Sequence, residues 1–196
     1  MENELRDKSR RLYPLFAEML GYPDYSLYEC FDECISLLMG WHREAAKLLR
    51  KFESILARVP LTEMQEIYTR TFDLQPACYP YVGYHLFGEN YRRELFMAGL
   101  KKRYHTHGFS PGKELPDHLP VILRFLAEPS RDDRNDELIH ECVIPSLQKM
   151  LAEGLKEEDD PYRGVMQALL LTLQKEGAQS LSHGAKNHQI PLALSA

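Results

Sequence analysis

Apolar residues recur at intervals of three and four along nearly the whole chain, and no run of alternating β-branched residues breaks the pattern. That periodicity gives each segment one apolar stripe, and stripes of this kind are buried by packing helix on helix. Leu12, Leu15, Phe16 and Met19 mark a first helix; Leu27, Cys30, Phe31, Cys34, Ile35 and Leu38 mark a second. Ala45 to Val59 forms a third stripe that ends at Pro60, and Leu61, Met64, Ile67, Tyr68 and Thr71 a fourth. Leu119, Ile122, Leu123 and Leu126 follow, then Leu138 to Leu151, which Pro145 should kink or split. Tyr162, Val165, Met166, Leu169, Leu170 and Leu173 close the series, with Pro161 suited to a first helical turn. The expectation is an all-α, single-domain compact bundle of about eight to ten helices.

At 196 residues the chain can bury a substantial core as one domain. Residues 1–176 carry the helical pattern; from Gly177 it fades, and 177–196 reads as a mobile C-terminal tail. Loops are expected at Gly21–Asp24, Gln75–Pro80, Gly108–Pro116 and Pro129–Asp136.

A formal charge of −5 offers no general attraction to phosphate backbones, so nucleic acid is not expected as a partner, whereas a basic peptide suits the charge better. No apolar run approaches the roughly 18 residues of a membrane span, so direct membrane insertion is not expected. "KSRRLYPLF" (Lys8 to Phe16) has the adjacent arginines of a twin-arginine leader. An uncharged apolar run should then follow, but Glu18, Tyr22, Pro23 and Asp24 stand there instead, and the segment reads as an amphipathic helix.

Four cysteines, Cys30, Cys34, Cys78 and Cys142, form no CxxC pair and read as reduced thiols in a cytosolic protein. Cys30 and Cys34 have a spacing that could hold a metal, yet both lie on an apolar stripe, where cysteine packs as a small hydrophobe. His105 and His107 flank Thr106 with no third ligand nearby. Cys78 in "QPACYPY" is near His85 in sequence, without a group to orient the pair. There is no GxSxG, no HExxH and no glycine-rich phosphate loop. No metal, cofactor or catalytic residue is expected.

Three segments are unusual. "YTRTFDLQPACYPYVGYHLFGE" (Tyr68 to Glu89) concentrates Tyr68, Phe72, Tyr79, Tyr81, Tyr84, His85 and Phe87. It is either an aromatic core knot or a groove for an extended or helical peptide. "NYRRELFMAGLKKRYHTHGF" (Asn90 to Phe109) carries the charges of a solvated helix face. "GKELPDHLPVILRFL" (Gly112 to Leu126) sets Asp117 and His118 between Pro116 and Pro120, just ahead of a helix. Asp117 either caps that helix or takes part in recognition.

Together "YTRTFDLQPAC", "YVGYHLFGE" and "GKELPDHLPVILRFL" resemble a NarJ-type assembly chaperone, within the wider TorD-like family of redox-enzyme maturation proteins. The resemblance is dense from Tyr68 to about Leu126 and elsewhere is one of helix pattern and length. It implies a cofactor-free cytoplasmic chaperone, not an enzyme. Its partner would be the catalytic subunit of a molybdenum oxidoreductase, a nitrate reductase or a relative, bound at its N-terminal leader or leader remnant. Such a chaperone holds the subunit competent for molybdenum-cofactor insertion before membrane docking or export. The alternative is a helical nucleotide-dependent protein or enzyme acting in molybdoenzyme maturation.

The resemblance places client-peptide binding at Glu114, Leu115, Pro116, Asp117 and His118, followed by Tyr68, Phe72, Asp73, Tyr84, His85 and Phe87. Asp117 and Glu114 would accept charge-assisted bonds from client arginines. His118, with an ordinary titration near pH 6.5, would compete for Asp117 when protonated. "CYPYV" departs from the pattern at Tyr79 and Pro80, which leaves the client's identity open.

Overall fold

The structure, a computed structural model, describes residues 2–74, 78–129, 134–156 and 160–181. Among the described residues ten α-helical segments follow one another: α1 (Glu2–Met19), α2 (Ser26–Met39), α3 (Arg43–Leu56), α4 (Leu61–Phe72), α5 (Val82–Phe87), α6 (Tyr91–Thr106), α7 (Leu119–Ala127), α8 (Arg134–Glu137), α9 (Ile144–Lys149) and α10 (Pro161–Leu181). Among the described residues the only strand-like pairing is one isolated antiparallel bridge between Tyr81 and His118. The all-α expectation holds, and each apolar stripe read from the sequence faces the interior.

α10 packs along α3, and α1 packs on both α7 and α2. The centre is aromatic. Phe31 of α2 stacks on Phe52 of α3 at 4.6 Å between centroids, and Tyr162 of α10 meets Phe52, Phe72 and Tyr68 edge-on. Gly164 permits the close approach of α10 to α3: a Cβ there would sit 3.3 Å from the Leu48 carbonyl oxygen. The Tyr13 hydroxyl donates to Glu176, and Lys175 donates to the Trp41 carbonyl, so α10 is fastened to α1 and to the α2–α3 turn.

Four features differ from the periodicity reading. α5 is a six-residue helix inside the aromatic segment, too short for a 3.6-residue repeat to register. The helix around Pro145 is not split. Two π-helical stretches, Leu138–Val143 and Met150–Gly154, flank α9 and absorb the missing N–H of Pro145 by shifting the bonding register. The loop expected to reach Asp136 ends earlier, since α8 begins at Arg134. α10 runs on to Leu181, past the expected boundary at 176; the rest of the expected tail, 182–196, lies outside the described residues.

The thiols also find their places. Cys34, Cys78 and Cys142 are buried among apolar side chains and Cys30 packs partly against them. Burial pushes the thiols of Cys78 and Cys142 up to about 12 and that of Cys30 to about 11. Among the described residues no group of three or more His, Cys, Asp or Glu side chains converges as a metal site would require.

Candidate functional site: a pinned hinge with an acidic, apolar rim

The segment before α5 and the segment before α7 lie side by side. The Val82 N–H donates to the Asp117 carbonyl and the Leu119 N–H donates to the Pro80 carbonyl, each at 2.8 Å. Here the first N–H of α7 is satisfied by main chain, so the Asp117 carboxylate is free of capping duty; the N-cap position is His118, without a side-chain bond. The Tyr104 hydroxyl donates to the Pro116 carbonyl (2.7 Å), and the Ser146 hydroxyl donates to the Val82 carbonyl (3.0 Å). Four elements therefore fix the hinge: α5, α6, α7 and α9.

Asp117 is fully buried and is paired within the chain. Arg93 of α6 approaches it side-on, with Nε 2.8 Å from Oδ2 and an Nη at 3.4 Å from Oδ1. The same guanidinium lies over the rings of Tyr81 (5.3 Å) and Tyr84 (5.9 Å), and Glu89 is 3.9 Å away. The pair explains Gly83. A Cβ at that position would stand 2.7 Å from Asp117 Oδ2 and 3.0 Å from Phe96, so no side chain fits between α5 and the carboxylate.

This geometry corrects two expectations. Asp117 does not present itself to a client arginine, because it is buried and its carboxylate is held by Arg93. His118 does not titrate near 6.5: burial, then the nearby Arg124 cation, lowers it to about 4 and keeps it neutral in the physiological range. Its Nδ1 is buried without a hydrogen-bond partner, and its ring lies 5.4 Å from that of Tyr81.

The remaining candidates fall into two groups. Phe72 and Pro116 are buried, with Phe72 in the aromatic centre, so these two are support. Tyr84, His85 and Phe87 of α5 are half-buried. Tyr84 packs on Tyr79, Phe87 on Phe96, and His85 Nε2 bonds the Tyr79 carbonyl at 2.8 Å. His85 thus braces the loop backbone, while Cys78 turns into the core; no Cys–His nucleophile is formed.

On the outside stand Asp73, Glu114 and Leu115, with Tyr68 half-buried behind them. Burial, then the carboxylates of Glu114 and Asp73, push the Tyr68 hydroxyl up to about 12; after burial, Glu114 is also the leading influence on Tyr81. Two acids from distant parts of the sequence therefore converge on one tyrosine. Beside them Leu74 is 71% exposed and Leu115 44%, and Tyr22 is 60% exposed with its ring edge-on to Tyr68 at 5.5 Å. Apolar side chains among carboxylates form a surface suited to a peptide that offers both an apolar face and cations.

Sequence reasoning missed Arg93, Gly83, Tyr104, Leu74 and Tyr22. Arg93 left a signal: it lies on the same stripe as Phe96, Leu100 and Tyr104 of α6, where a solvated arginine has no reason to be. Leu74 and Tyr22 left none, since one exposed apolar residue in a loop is ordinary.

Comparison with known proteins bears on the fold and the family. The fold is similar to that of the crystallised "Putative Redox Enzyme Maturation Protein" from Archaeoglobus fulgidus, with a TM-score of 0.57 at 23% identity over 85% of this chain and 93% of the other. Residues 40–168 match the family model described as nitrate reductase delta subunit. The chain is 30% identical over 170 residues to the "Probable nitrate reductase molybdenum cofactor assembly chaperone NarJ" of Bacillus subtilis, covering 85% of this chain and 90% of that protein. It is 29% identical over 170 residues to the nitrate reductase molybdenum cofactor assembly chaperone NarJ of Escherichia coli K12, covering 85% of this chain and 70% of that one. The chain belongs to the nitrate reductase delta subunit family.

Proposed function

We propose that this protein is a dedicated cytoplasmic chaperone, not an enzyme, for the catalytic subunit of a nitrate reductase or a related molybdenum oxidoreductase. It would hold the subunit's N-terminal leader or leader remnant on the rim formed by Asp73, Leu74, Glu114, Leu115, Tyr68 and Tyr22. While held, the subunit stays open for molybdenum-cofactor insertion and does not yet dock at the membrane or enter export.

The observation that carries this reading is the pairing of exposed leucines with convergent carboxylates on a hinge fixed from four sides. A rigid surface loses little conformational entropy on binding, so apolar burial on it translates into affinity. Asp117 and His118 position that surface without touching the client. The membership of the nitrate reductase delta subunit family supports the choice of client class. Among the described residues no helix is long and apolar enough to cross a membrane.

Calorimetric titration with a synthetic N-terminal segment of the host's nitrate reductase catalytic subunit tests the proposal. Wild-type protein should bind it and ignore a scrambled version. Leu115→Ser removes an apolar side chain, worth about 1.5–3 kcal/mol when buried, and should weaken binding roughly ten- to hundredfold. Equal affinity for native and scrambled peptide would sink the proposal.

A further inference from the structure

Between Glu18 and His42 the chain holds five acids (Glu18, Asp24, Glu29, Asp32, Glu33) and neither lysine nor arginine. Tyr25 is 78% exposed and Tyr28 38%. With Glu29 and Asp32 they fall at intervals of three, four and seven residues, which lines them up on one outward face of α2. Half of the large apolar side chains that the described residues expose lie between Tyr22 and Met39, so this corner concentrates what a soluble surface usually scatters.

The corner is also held in place. Asp24 accepts from the Ser26 N–H at 2.7 Å and caps the entry to α2, and Gln65 of α4 donates to the Pro23 carbonyl at 2.9 Å. Tyr22, whose ring meets Tyr68 in the rim described above, stands three residues before Tyr25. Glu18, Glu33, Asp24 and Glu29 all raise the Cys30 thiol after burial has done so, which places their charges together. Glu33 has Arg11 at 3.5 Å as a partner, in an exposed and therefore weak pair.

We infer that the outward face of α2, formed by Tyr25, Tyr28, Glu29 and Asp32, is a second contact surface that takes a basic stretch of the same client polypeptide. The inference rests on the function proposed above. Tyrosine rings flanked by carboxylates suit arginine and lysine: the ring faces attract the cation and the carboxylates accept its hydrogen bonds. A client segment with an apolar part and a cationic part would lay the first on Leu74 and Leu115 and the second across Tyr22 onto α2. Two linked contacts on one chain reinforce each other without any further binding energy at the hinge.

The test uses the full chain and two synthetic peptides: the native N-terminal segment of the host's nitrate reductase catalytic subunit, and the same segment with every lysine and arginine replaced by glutamine. The double variant Tyr25→Ser/Tyr28→Ser should bind the native peptide about tenfold more weakly than wild type, from two lost cation–ring contacts. It should bind the glutamine peptide as wild type does, whereas Leu115→Ser should weaken both. If the double variant unfolds, Glu29→Lys reads the same face from an exposed position, with the same expected loss. Wild-type affinity for the native peptide in a folded α2 variant, with Leu115→Ser still impaired, would overturn the α2 face and leave the hinge reading standing. Failure of wild-type protein to bind the native peptide would overturn both.

Discussion

The Arg93–Asp117 pair shows how a residue that looks chemically active in sequence can be spent on architecture. Both side chains are largely or wholly out of water, so each charge is tolerable only because of the other. Asp117→Asn keeps the shape but removes the close carboxylate and leaves Arg93 with the exposed Glu89 at 3.9 Å and the rings of Tyr81 and Tyr84. Removing one partner of such a pair costs about 3–5 kcal/mol, and urea unfolding should show a loss near the lower end; Arg93→Met combined with Asp117→Asn should recover part of it. His118 makes a second, pH-resolved prediction. Its titration is lowered from 6.5 to about 4 in the folded chain, so the unfolded chain binds more protons between those values. Stability is therefore complete above pH 6.5 and falls as the pH drops toward 4, by roughly 3 kcal/mol at most. His118→Gln should flatten that slope in unfolding measured across the window; an unchanged slope would show that another group carries it.

Among the elements, α5 owes its position to the absence of a side chain. Gly83→Ala would improve helix propensity by up to about 1 kcal/mol in isolation, yet its Cβ would fall 2.7 Å from Asp117 Oδ2 and 3.1 Å from the Arg93 stem. The chain must shift α5 or break the ion pair, so Gly83→Ala should lower stability by about 2 kcal/mol or more. Gly99→Ala on α6, where nothing lies within 4 Å, is the control and should raise stability by about 0.5–1 kcal/mol. Thermal melts of the two variants should move in opposite directions. The contrast also marks what was legible in the sequence. Long stripes such as those of α2, α3 and α10 announced themselves because burial follows a fixed period over many residues. α5 and the π-helical turns around Pro145 did not, because one is too short to show a period and the others depend on bonding register. The Gly112–Leu126 motif was legible as a resemblance, but the partner of Asp117 was not: it lies 24 residues away, and only the folded chain brings α6 against this segment.

At the scale of the whole molecule, a helical body is held together by aromatic packing, and the proposed function assigns its acidic, apolar margin to a client. Cys34, Cys78 and Cys142 belong to the packing, with thiols pushed well above their ordinary range. Incubation with a strong chelator should therefore leave the melting temperature unchanged, and thiol reagents should react with these three only after unfolding. In the proposed function, that margin serves molybdenum-cofactor insertion into a client subunit. The most direct measurement is the molybdenum content of the host's nitrate reductase catalytic subunit, purified from cells that carry the wild-type chain, Leu115→Ser, or no copy of it. Wild type should give a loaded subunit, absence of the chain a molybdenum-poor one, and Leu115→Ser at equal expression an intermediate or poor one. Full molybdenum loading in cells that lack the chain would contradict the proposed function.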